Sequence, residues 1–169
     1  EHTHSGDIQS ALEIYEINSL AVIGTNILAG GYDFGPFIST DNGATWTEAD
    51  TTVLPLGDHY SFLKIGKYVY AGTAGGVFLS TDGGVGWTAI NAGFTDAGDI
   101  DVTSMAYRGE KILAGTYESV FLYKSESASW EAWNEGLNSD IIYSIAVNET
   151  TAFAGTSASG VWRRPLSDI

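Results

Sequence analysis

Two eight-residue segments bring together side chains that could do chemistry. Each holds a serine hydroxyl, a carboxylate two residues later and a tryptophan at its end. Because the segment occurs twice, it indicates an internal repeat, and an internal period decides the architecture before any single residue does. The two copies are Ser39, Thr40, Asp41, Asn42, Gly43, Ala44, Thr45, Trp46 and Ser80, Thr81, Asp82, Gly83, Gly84, Val85, Gly86, Trp87.

A cluster of aspartates in segment 95–102 is a candidate cation site. Asp96, Asp99 and Asp101 carry oxygen ligands of the kind that calcium binds. No spacing here matches a twelve-residue calcium loop, so a solvated acidic loop is the favoured interpretation.

A glycosidase needs two carboxylates about 5 to 9.5 Å apart. With 21 acidic residues in the chain, some pair will always qualify, and the count therefore indicates nothing.

The histidines supply no stronger site. His2 and His4, with Asp7, have side chains that suit a transition metal, yet a flexible tail over residues 1–10 is the simpler interpretation near a terminus. His59 stands alone and is expected to pack or cap rather than to catalyse. No glycine-rich loop followed by a helix is present to hold a phosphate, and no cofactor is predicted.

Two unrelated landmarks measure the repeat. An Ala-Gly pair returns at intervals of 42, 43 and 40 residues, and a serine that opens each unit keeps the same step. The landmarks are Ala29-Gly30, Ala71-Gly72, Ala114-Gly115 and Ala154-Gly155, with Ser19, Ser61, Ser104 and Ser144. They predict one domain over 11–169 that contains four units, 18–58, 59–101, 102–141 and 142–169.

Each unit is predicted to contain four short strands. In the first unit these are Ser19 to Val22, Ile27 to Ala29, Pro36 to Ser39 and a strand that starts at Trp46. Such runs are rich in Val, Ile, Tyr, Phe and Leu and are bounded by Gly, Asn and Asp, while no stretch has sustained helical periodicity. Four strands in a period of about 40 residues predict an all-β protein of the β-propeller type, with four blade repeats.

The repeated segment has a physical task in such a unit, because it joins the third strand to the fourth through a tight turn. Gly43 and Gly84 are expected to supply the positive φ that the turn needs. Asp41 and Asp82 are expected to close it by accepting hydrogen bonds from nearby N–H groups. The final tryptophan then covers the hairpin and buries roughly 150 to 250 Å².

Ser-x-Asp-x-Gly-x-Thr-Trp is the pattern of the Asp-box (BNR) repeat family, which this chain resembles through its four units. A third copy has decayed: aligning Trp130 with Trp46 puts Ser125 in the aspartate position and Ser127 in the glycine position. The last unit ends before a box could form. The resemblance implies a propeller similar to bacterial secreted Asp-box proteins, and hence an extracellular or cell-surface location.

Asp boxes also occur in sialidases, so the resemblance raises an enzymatic alternative. A sialidase would need six blades and three arginines that converge on the substrate, whereas this chain has four units and only Arg108, Arg163 and Arg164. Neighbours on one strand point to opposite faces, so Arg163 and Arg164 cannot both reach one pocket. The favoured function is a non-catalytic recognition or scaffold module, with a glycan-active hydrolase as the alternative.

The last unit lacks a fourth strand, and the N-terminus offers one. Residues 11–17 alternate apolar and polar side chains, which suits a half-buried edge strand. We expect this strand to complete the last blade, either within the chain as a closed four-bladed ring or across two chains as half of a larger ring. Joining chains head to tail through the same strand is a further alternative.

A propeller also predicts where a partner would bind. The Asp boxes lie on one face, so the turns between second and third strands lie on the other, with the links between blades. Tyr32, Asp33 and Phe34 occupy that turn in the first unit, and Tyr117 and Glu118 occupy it in the third. Aromatic rings beside carboxylates suit a glycan or a protein partner. The alternative is that the rings pack against their own loops.

Composition excludes several classes of protein. A formal net charge of −14 with only seven basic residues argues against nucleic-acid binding. The chain has no cysteine for a disulfide, and it has no apolar run near the ~18 residues that a membrane helix needs.

Because the sequence starts at Glu1 and has Met105 as its only methionine, we expect that an export signal was removed or that the chain is a fragment. Asn148 begins an Asn-Glu-Thr triplet that fits a glycosylation acceptor.

Overall fold

The structure is a computed structural model that describes residues 16–31, 35–49, 53–54, 61–94, 100–138 and 140–168. Within these ranges the chain forms fifteen β-strands and one short 3-10 helix, η1 (Leu166–Asp168). The strands build four antiparallel sheets in which consecutive strands pair. The predicted all-β class is therefore confirmed.

The sheets follow the predicted units in order. The first contains β1 (Ile17–Ile23), β2 (Asn26–Gly31), β3 (Phe37–Ser39) and β4 (Thr47–Glu48). The second contains β5 (Ser61–Ile65), β6 (Tyr68–Thr73), β7 (Gly76–Ser80) and β8 (Thr88–Ala89). The third contains β9 (Ser104–Arg108), β10 (Lys111–Gly115), β11 (Val120–Lys124) and β12 (Ser129–Ala132). The fourth, with three strands among the described residues, contains β13 (Ile142–Val147), β14 (Thr151–Thr156) and β15 (Val161–Pro165).

The fourth strands do not start where the sequence predicts. In the first two sheets they begin one residue after Trp46 and Trp87, because each tryptophan still belongs to the turn. In the third sheet β12 begins one residue before Trp130, since a shorter turn brings Ser129 opposite Lys124. The length of the turn therefore decides where pairing starts.

Three hydrophobic clusters between neighbouring sheets form the core. We call the side of a sheet that meets the next sheet in chain order its following face, and the other side its preceding face. Each cluster joins the following face of one sheet to the preceding face of the next. Representative members are Leu28 and Phe78 for sheets one and two, Val77 and Met105 for sheets two and three, and Leu113 and Trp162 for sheets three and four.

The repeated Ala-Gly pair marks the place where the chain enters the next sheet. A Cβ atom on Gly72 would lie 2.5 Å from Val102 Cγ1, and one on Gly115 would lie 2.6 Å from Ile142 Cγ2. Both distances are shorter than carbon atoms tolerate. The N–H groups of Val102 and Ile142 each donate, over 3.0 Å, to the carbonyl of the residue that follows the glycine. Glycine therefore allows successive sheets to pack closely at the point where the first strand of the next sheet begins.

The first sheet departs from the predictions at its preceding face. Ile17, predicted to end the strand that completes the last blade, instead pairs with the end of β2; residues 11–15 lie outside the described residues. Trp46 is only half-buried, although Trp87 and Trp130 are buried. The buried rings pack in clusters with the sheet before their own. Within the described part of the chain, no such sheet precedes the first.

Candidate functional site

The turn after β3 is closed by its own side chains. Ser39 Oγ donates to Asp41 Oδ1 over 2.8 Å and accepts from the Gly43 N–H over 2.8 Å. Asp41 accepts from the Thr45 N–H at 2.8 Å and from the Thr45 hydroxyl at 2.6 Å. The φ angles of Asn42 and Gly43 are 61° and 89°. Two consecutive residues thus occupy the left-handed region, which glycine accepts without steric cost.

The turn after β7 repeats this arrangement. Ser80 Oγ donates to Asp82 Oδ1 over 2.9 Å and accepts from the Gly84 N–H over 2.8 Å. Asp82 accepts from the Gly86 N–H with both oxygens, at 2.9 and 3.1 Å. Trp87 Nε1 donates to Gly84 O over 3.1 Å, so the ring is held by its own turn.

These contacts engage the serine hydroxyls and aspartate carboxylates of both turns in hydrogen bonds within the turn. Hydrogen bonds from the Thr45 hydroxyl and amide lower the pKa of Asp41 from 3.8 to about 2. The Gly86 amide likewise lowers the pKa of Asp82. Both carboxylates are ionised at neutral pH and cannot donate a proton. Ser39 and Ser80 are fully buried, so neither hydroxyl can reach a substrate as a nucleophile.

The decayed third turn has a different construction. The hydroxyl oxygens of Ser127 and Ser129 lie 2.7 Å apart, and Ala128, rather than a glycine, takes a positive φ of 50°. Trp130 Nε1 donates over 2.7 Å to Ile90 O, in the segment that follows β8. The third tryptophan is therefore bonded to a segment outside its own turn.

A turn motif that the sequence analysis missed lies at the opposite end of the sheets. In the second, third and fourth units a threonine follows the Ala-Gly pair, and its hydroxyl spans the turn between second and third strands. Thr73 Oγ1 donates to Gly76 O over 3.1 Å and accepts from the Gly75 N–H over 3.0 Å. Thr116 and Thr156 make the same two kinds of bond. The signal was the repeated Ala-Gly-Thr triplet.

Two asparagines brace these turns. Asn91 accepts from the Val77 N–H and donates to Gly75 O, over 2.8 Å in each case. Asn134 Nδ2 donates to Ser119 Oγ over 3.0 Å. Each asparagine opens an Asn-x-Gly turn whose glycine has a positive φ, 94° in the first and 77° in the second. Both lie four residues after a box tryptophan, a second repeat that the sequence analysis missed.

Part of the predicted partner surface is described by the structure. Tyr117 is half-buried and Glu118 is exposed, and both lie in the turn between β10 and β11 where the sequence places them. Tyr32, Asp33 and Phe34 lie outside the described residues.

A hydrogen bond joins the turn at Tyr117 to the start of β13, and further hydrogen bonds join that segment to the turn after β14. The Ile142 N–H donates to Thr116 O over 3.0 Å, and Ser157 exchanges hydrogen bonds of 3.0 and 3.2 Å with the backbone of Ile141. Asp140 is buried: its Oδ1 lies 3.5 Å from Ser157 Oγ, and its Oδ2 has no hydrogen-bond partner among the described residues. We call this surface the upper patch. It consists of Tyr117, Glu118, Asp140, Ile141 and Ser157.

The three arginines do not converge. Arg164 lies 4.9 Å from the centre of the Trp133 ring and 3.0 Å from Glu135, in a cleft of about 340 Å³. Arg108 pairs over 3.5 Å with a glutamate in the turn after β13, at a separate cavity of about 630 Å³. Arg163 is exposed on β15. No carboxylate-binding trio of the sialidase kind is formed.

The other candidate residues divide into two groups. Asp101 is described and half-buried, and Asn148 is exposed, with Oδ1 accepting from the amides of Thr150 and Thr151. Among the described residues, no three acidic, histidine or cysteine side chains gather to hold a metal. A search of the same residues found no helix with the length and apolar character to cross a membrane. Outside the described residues lie His2, His4, Asp7, His59, Asp96 and Asp99.

Comparison with known proteins supports the fold but not a family. No protein-family profile matches the chain, and no curated protein matches its sequence. Solved structures do resemble it, at low sequence identity, and they include β-propeller proteins. Membership of the Asp-box family therefore stays a prediction.

Three of these structures illustrate the similarity. The extracellular domain of BT4673 from B. thetaiotaomicron, assigned to a one-component system, has a TM-score of 0.71 and 20% identity over 88% of this chain and 20% of its own. An ancestral GH74 enzyme has a TM-score of 0.72 and 18% identity over 90% of this chain and 25% of its own. The computationally designed Ika4 protein has a TM-score of 0.69 and 11% identity over 95% of this chain and 99% of its own. This chain thus spans one fifth of the BT4673 domain and almost all of Ika4.

Proposed function

We propose that the protein is a non-catalytic, extracellular recognition or scaffold module that binds a protein or glycan partner. One observation carries the proposal: the serines and aspartates that repeat along the chain are used inside turns. Ser39 and Ser80 are fully buried, and Asp41 and Asp82 accept hydrogen bonds from their own turn residues. These repeated polar side chains therefore have a role in folding, and none of them is available for catalysis.

The upper patch is the proposed partner surface. It combines the exposed carboxylate of Glu118 with the half-buried Tyr117, in a turn whose Thr116 carbonyl accepts a hydrogen bond from the Ile142 N–H. A half-buried tyrosine combined with polar groups is typical of residues that contribute strongly to binding. We extend the surface to Tyr32, Asp33 and Phe34, which the repeat places in the equivalent turn of the first unit.

Each sheet is proposed to be one propeller blade. The regular packing of following faces on preceding faces supports this, as does the similarity to propeller structures. Of the strand predicted over residues 11–17 to complete the last blade, residues 11–15 stay a prediction, because they lie outside the described residues. An extracellular location is supported by the similar extracellular domain and by a net charge of −14, which favours solubility.

A glycan-active hydrolase is the second candidate. Two observations favour it: the fold is similar to a GH74 enzyme, and Asp140 is a buried carboxyl with an oxygen that lacks a partner among the described residues. Glycosidases use pairs of carboxyl groups. A second carboxylate in position to act with Asp140 has not been identified among the described residues.

A panel of defined polysaccharides separates the two candidates. We expect retention of the protein on at least one immobilised glycan or protein surface, with no release of reducing ends. Replacing Tyr117 with alanine and Glu118 with glutamine should weaken that binding about tenfold or more. Tyr107→Ala, which alters an exposed tyrosine on β9 outside the upper patch, should leave it unchanged. Release of reducing ends that Asp140→Asn abolishes would instead establish the hydrolase.

A further inference from the structure

The most exposed large apolar side chains of the described residues lie on the two end sheets. Val161 is 71% exposed, Leu20 65%, Tyr143 64% and Val22 59%. Leu20 and Val22 belong to β1, whereas Tyr143 and Val161 belong to β13 and β15. The middle sheets carry none exposed to this degree on their strands. Apolar surface is thus left open at both ends of the row of sheets.

The repeat shows what covers these positions elsewhere. Leu20 follows the opening serine of its unit, and the matching residues Met105 and Ile145 pack against the sheet before their own. Val161 corresponds to Val77 and Val120, which are fully buried against the sheet after their own. Leu20 therefore lies on a preceding face and Val161 on a following face, and each lacks its neighbour.

Backbone positions at the same ends agree with the side chains. Gly72 and Gly115 receive Val102 and Ile142 from the next sheet, but a Cβ atom on the matching Gly155 would meet only Ser144 of its own sheet. Two residues before the opening serine of its unit, the position of Val102 and Ile142 is occupied in the first unit by Ile17. The fourth sheet thus has a glycine notch, and the first sheet has the residue that fits it.

Hydrogen bonds between the first strands of neighbouring sheets predict a further bond between the two end sheets. Ser19 Oγ accepts from the Phe62 N–H over 3.4 Å, and Ser104 Oγ accepts from the Ile145 N–H over 2.9 Å. In both cases the serine that opens one unit bonds to the residue after the serine that opens the next. In a ring that continues this series, Ser144 Oγ would accept from the N–H of Leu20, the residue after the serine that opens the first unit.

Charge also matches across the two end faces. Arg163 occupies the following face of the fourth sheet at a position that is Ile38 in the first and Leu122 in the third. Glu48 occupies the preceding face of the first sheet at a position that is Ala89 in the second. Arg163 thus replaces an apolar residue of the repeated interface, Glu48 replaces an exposed alanine, and their opposite charges lie on the two faces that would meet.

We propose that the preceding face of the first sheet packs on the following face of the fourth sheet of a second copy, and the reverse, so that two chains form one eight-sheet ring. Leu20 and Val161 are exposed in the single chain, so its own ends do not cover them. Most of this chain superposes on one fifth to one quarter of longer structures, as expected of an arc with open ends. Two-fold closure leaves neither face free, unlike an open polymer. The inference rests on the proposed blade arrangement and not on the identity of the partner.

Native mass tests the proposal. Light scattering during size exclusion should give twice the 18.0 kDa chain mass for the wild-type protein. Leu20→Lys alone and Val161→Glu alone should each halve that mass, because both contacts of the pair are damaged in either homodimer. Mixing the two variants should restore the doubled mass, since one contact then joins lysine to glutamate and the other is unaltered.

Val85→Lys serves as the matched control, because Val85 is an exposed valine in the second box turn, away from both end faces. It should keep the doubled mass, and near-ultraviolet circular dichroism should report native packing in every variant. A wild-type mass of one chain, a ladder of larger masses, or variants that stay dimeric would each overturn the proposal. None of these outcomes alters the polysaccharide assay, so failure of the assembly and failure of the proposed function can be told apart.

Discussion

The second and third box turns perform the same connection by different means. Trp87 donates to Gly84 within its own turn, which the Ser80 and Asp82 side chains close. Trp130 has no such turn, and its ring and backbone N–H groups both donate to the segment that follows β8, at Ile90 and Ala92. Both rings pack against the preceding sheet, but the indole N–H of Trp87 is bonded within its own turn and that of Trp130 outside it.

This difference explains how the third turn can lack the aspartate and the glycine while its sheet keeps a fourth strand. The Trp130 ring stacks on Phe94 at 5.3 Å and meets Tyr123 at 5.1 Å, so packing supplies what the aspartate and glycine no longer supply. A tryptophan that recurs at the same position of the repeat can therefore be held by different contacts in each unit.

The largest effect is expected from Trp130→Ala. Loss of a buried indole with two aromatic neighbours should reduce the free energy of unfolding by about 3 to 5 kcal/mol. Trp46→Ala should cost less, because Trp46 is only half-buried. Urea unfolding followed by far-ultraviolet circular dichroism measures both, and equal losses would contradict the assignment of Trp130 to an intersheet core.

Gly93→Ala should come next. Gly93 has a φ of 94°, and an added Cβ would lie 2.0 Å from Trp130 O, so both strain and a clash oppose alanine. We expect a loss of about 1 to 3 kcal/mol from strain alone, and more from the clash. Gly136→Ala is the matched control, since its φ is 77° but the nearest atom to an added Cβ is 4.0 Å away. A smaller loss for Gly93 than for Gly136 would contradict the contact between the sheets.

Ser80→Ala should separate the intact turn from the decayed one. It leaves the buried Gly84 N–H without its acceptor, which should cost about 1 to 3 kcal/mol. Ser127→Ala in the third turn removes an exposed hydroxyl and should change stability by no more than about 0.5 kcal/mol. Equal thermal unfolding midpoints for the two variants would argue that the box hydrogen bonds do not support the fold.

The smallest effect concerns acid. The pKa of Asp41 is lowered in the folded chain, so its contribution to stability is complete above the ordinary value of 3.8 and is lost as the pH falls towards about 2. Asp41→Asn should remove this dependence. Denaturant midpoints of wild type and variant, measured from pH 5 to pH 2, should therefore converge as the pH falls, and parallel curves would refute the interpretation.

The sequence predicts the sheets better than it predicts the surfaces. The 42, 43 and 40 residue steps locate all four units, because each unit repeats the same turns. Trp46 was predicted to be buried like Trp87, yet burial depends on a neighbouring sheet that local pattern cannot supply. Thr116 and Asn134 were missed since hydrogen bonds across a turn leave only a faint periodic signal. Asp140 and Ser157 were not predicted as part of the upper patch, because only a hydrogen bond between the third and fourth sheets connects their segments to the turn at Tyr117.

The carboxyl titrations of Asp41 and Asp82 test the central claim most directly, namely that the box aspartates hold turns and do no proton chemistry. Carbon-13 NMR of the folded protein should show Asp41 titrating at about 2 and Asp82 below its usual range. The pKa of Asp41 should rise in Thr45→Val and that of Asp82 should rise in Ser80→Ala, because each variant lacks one of the hydrogen bonds to the respective carboxylate. A pKa near or above 4 for either residue in the folded wild-type protein would contradict the claim.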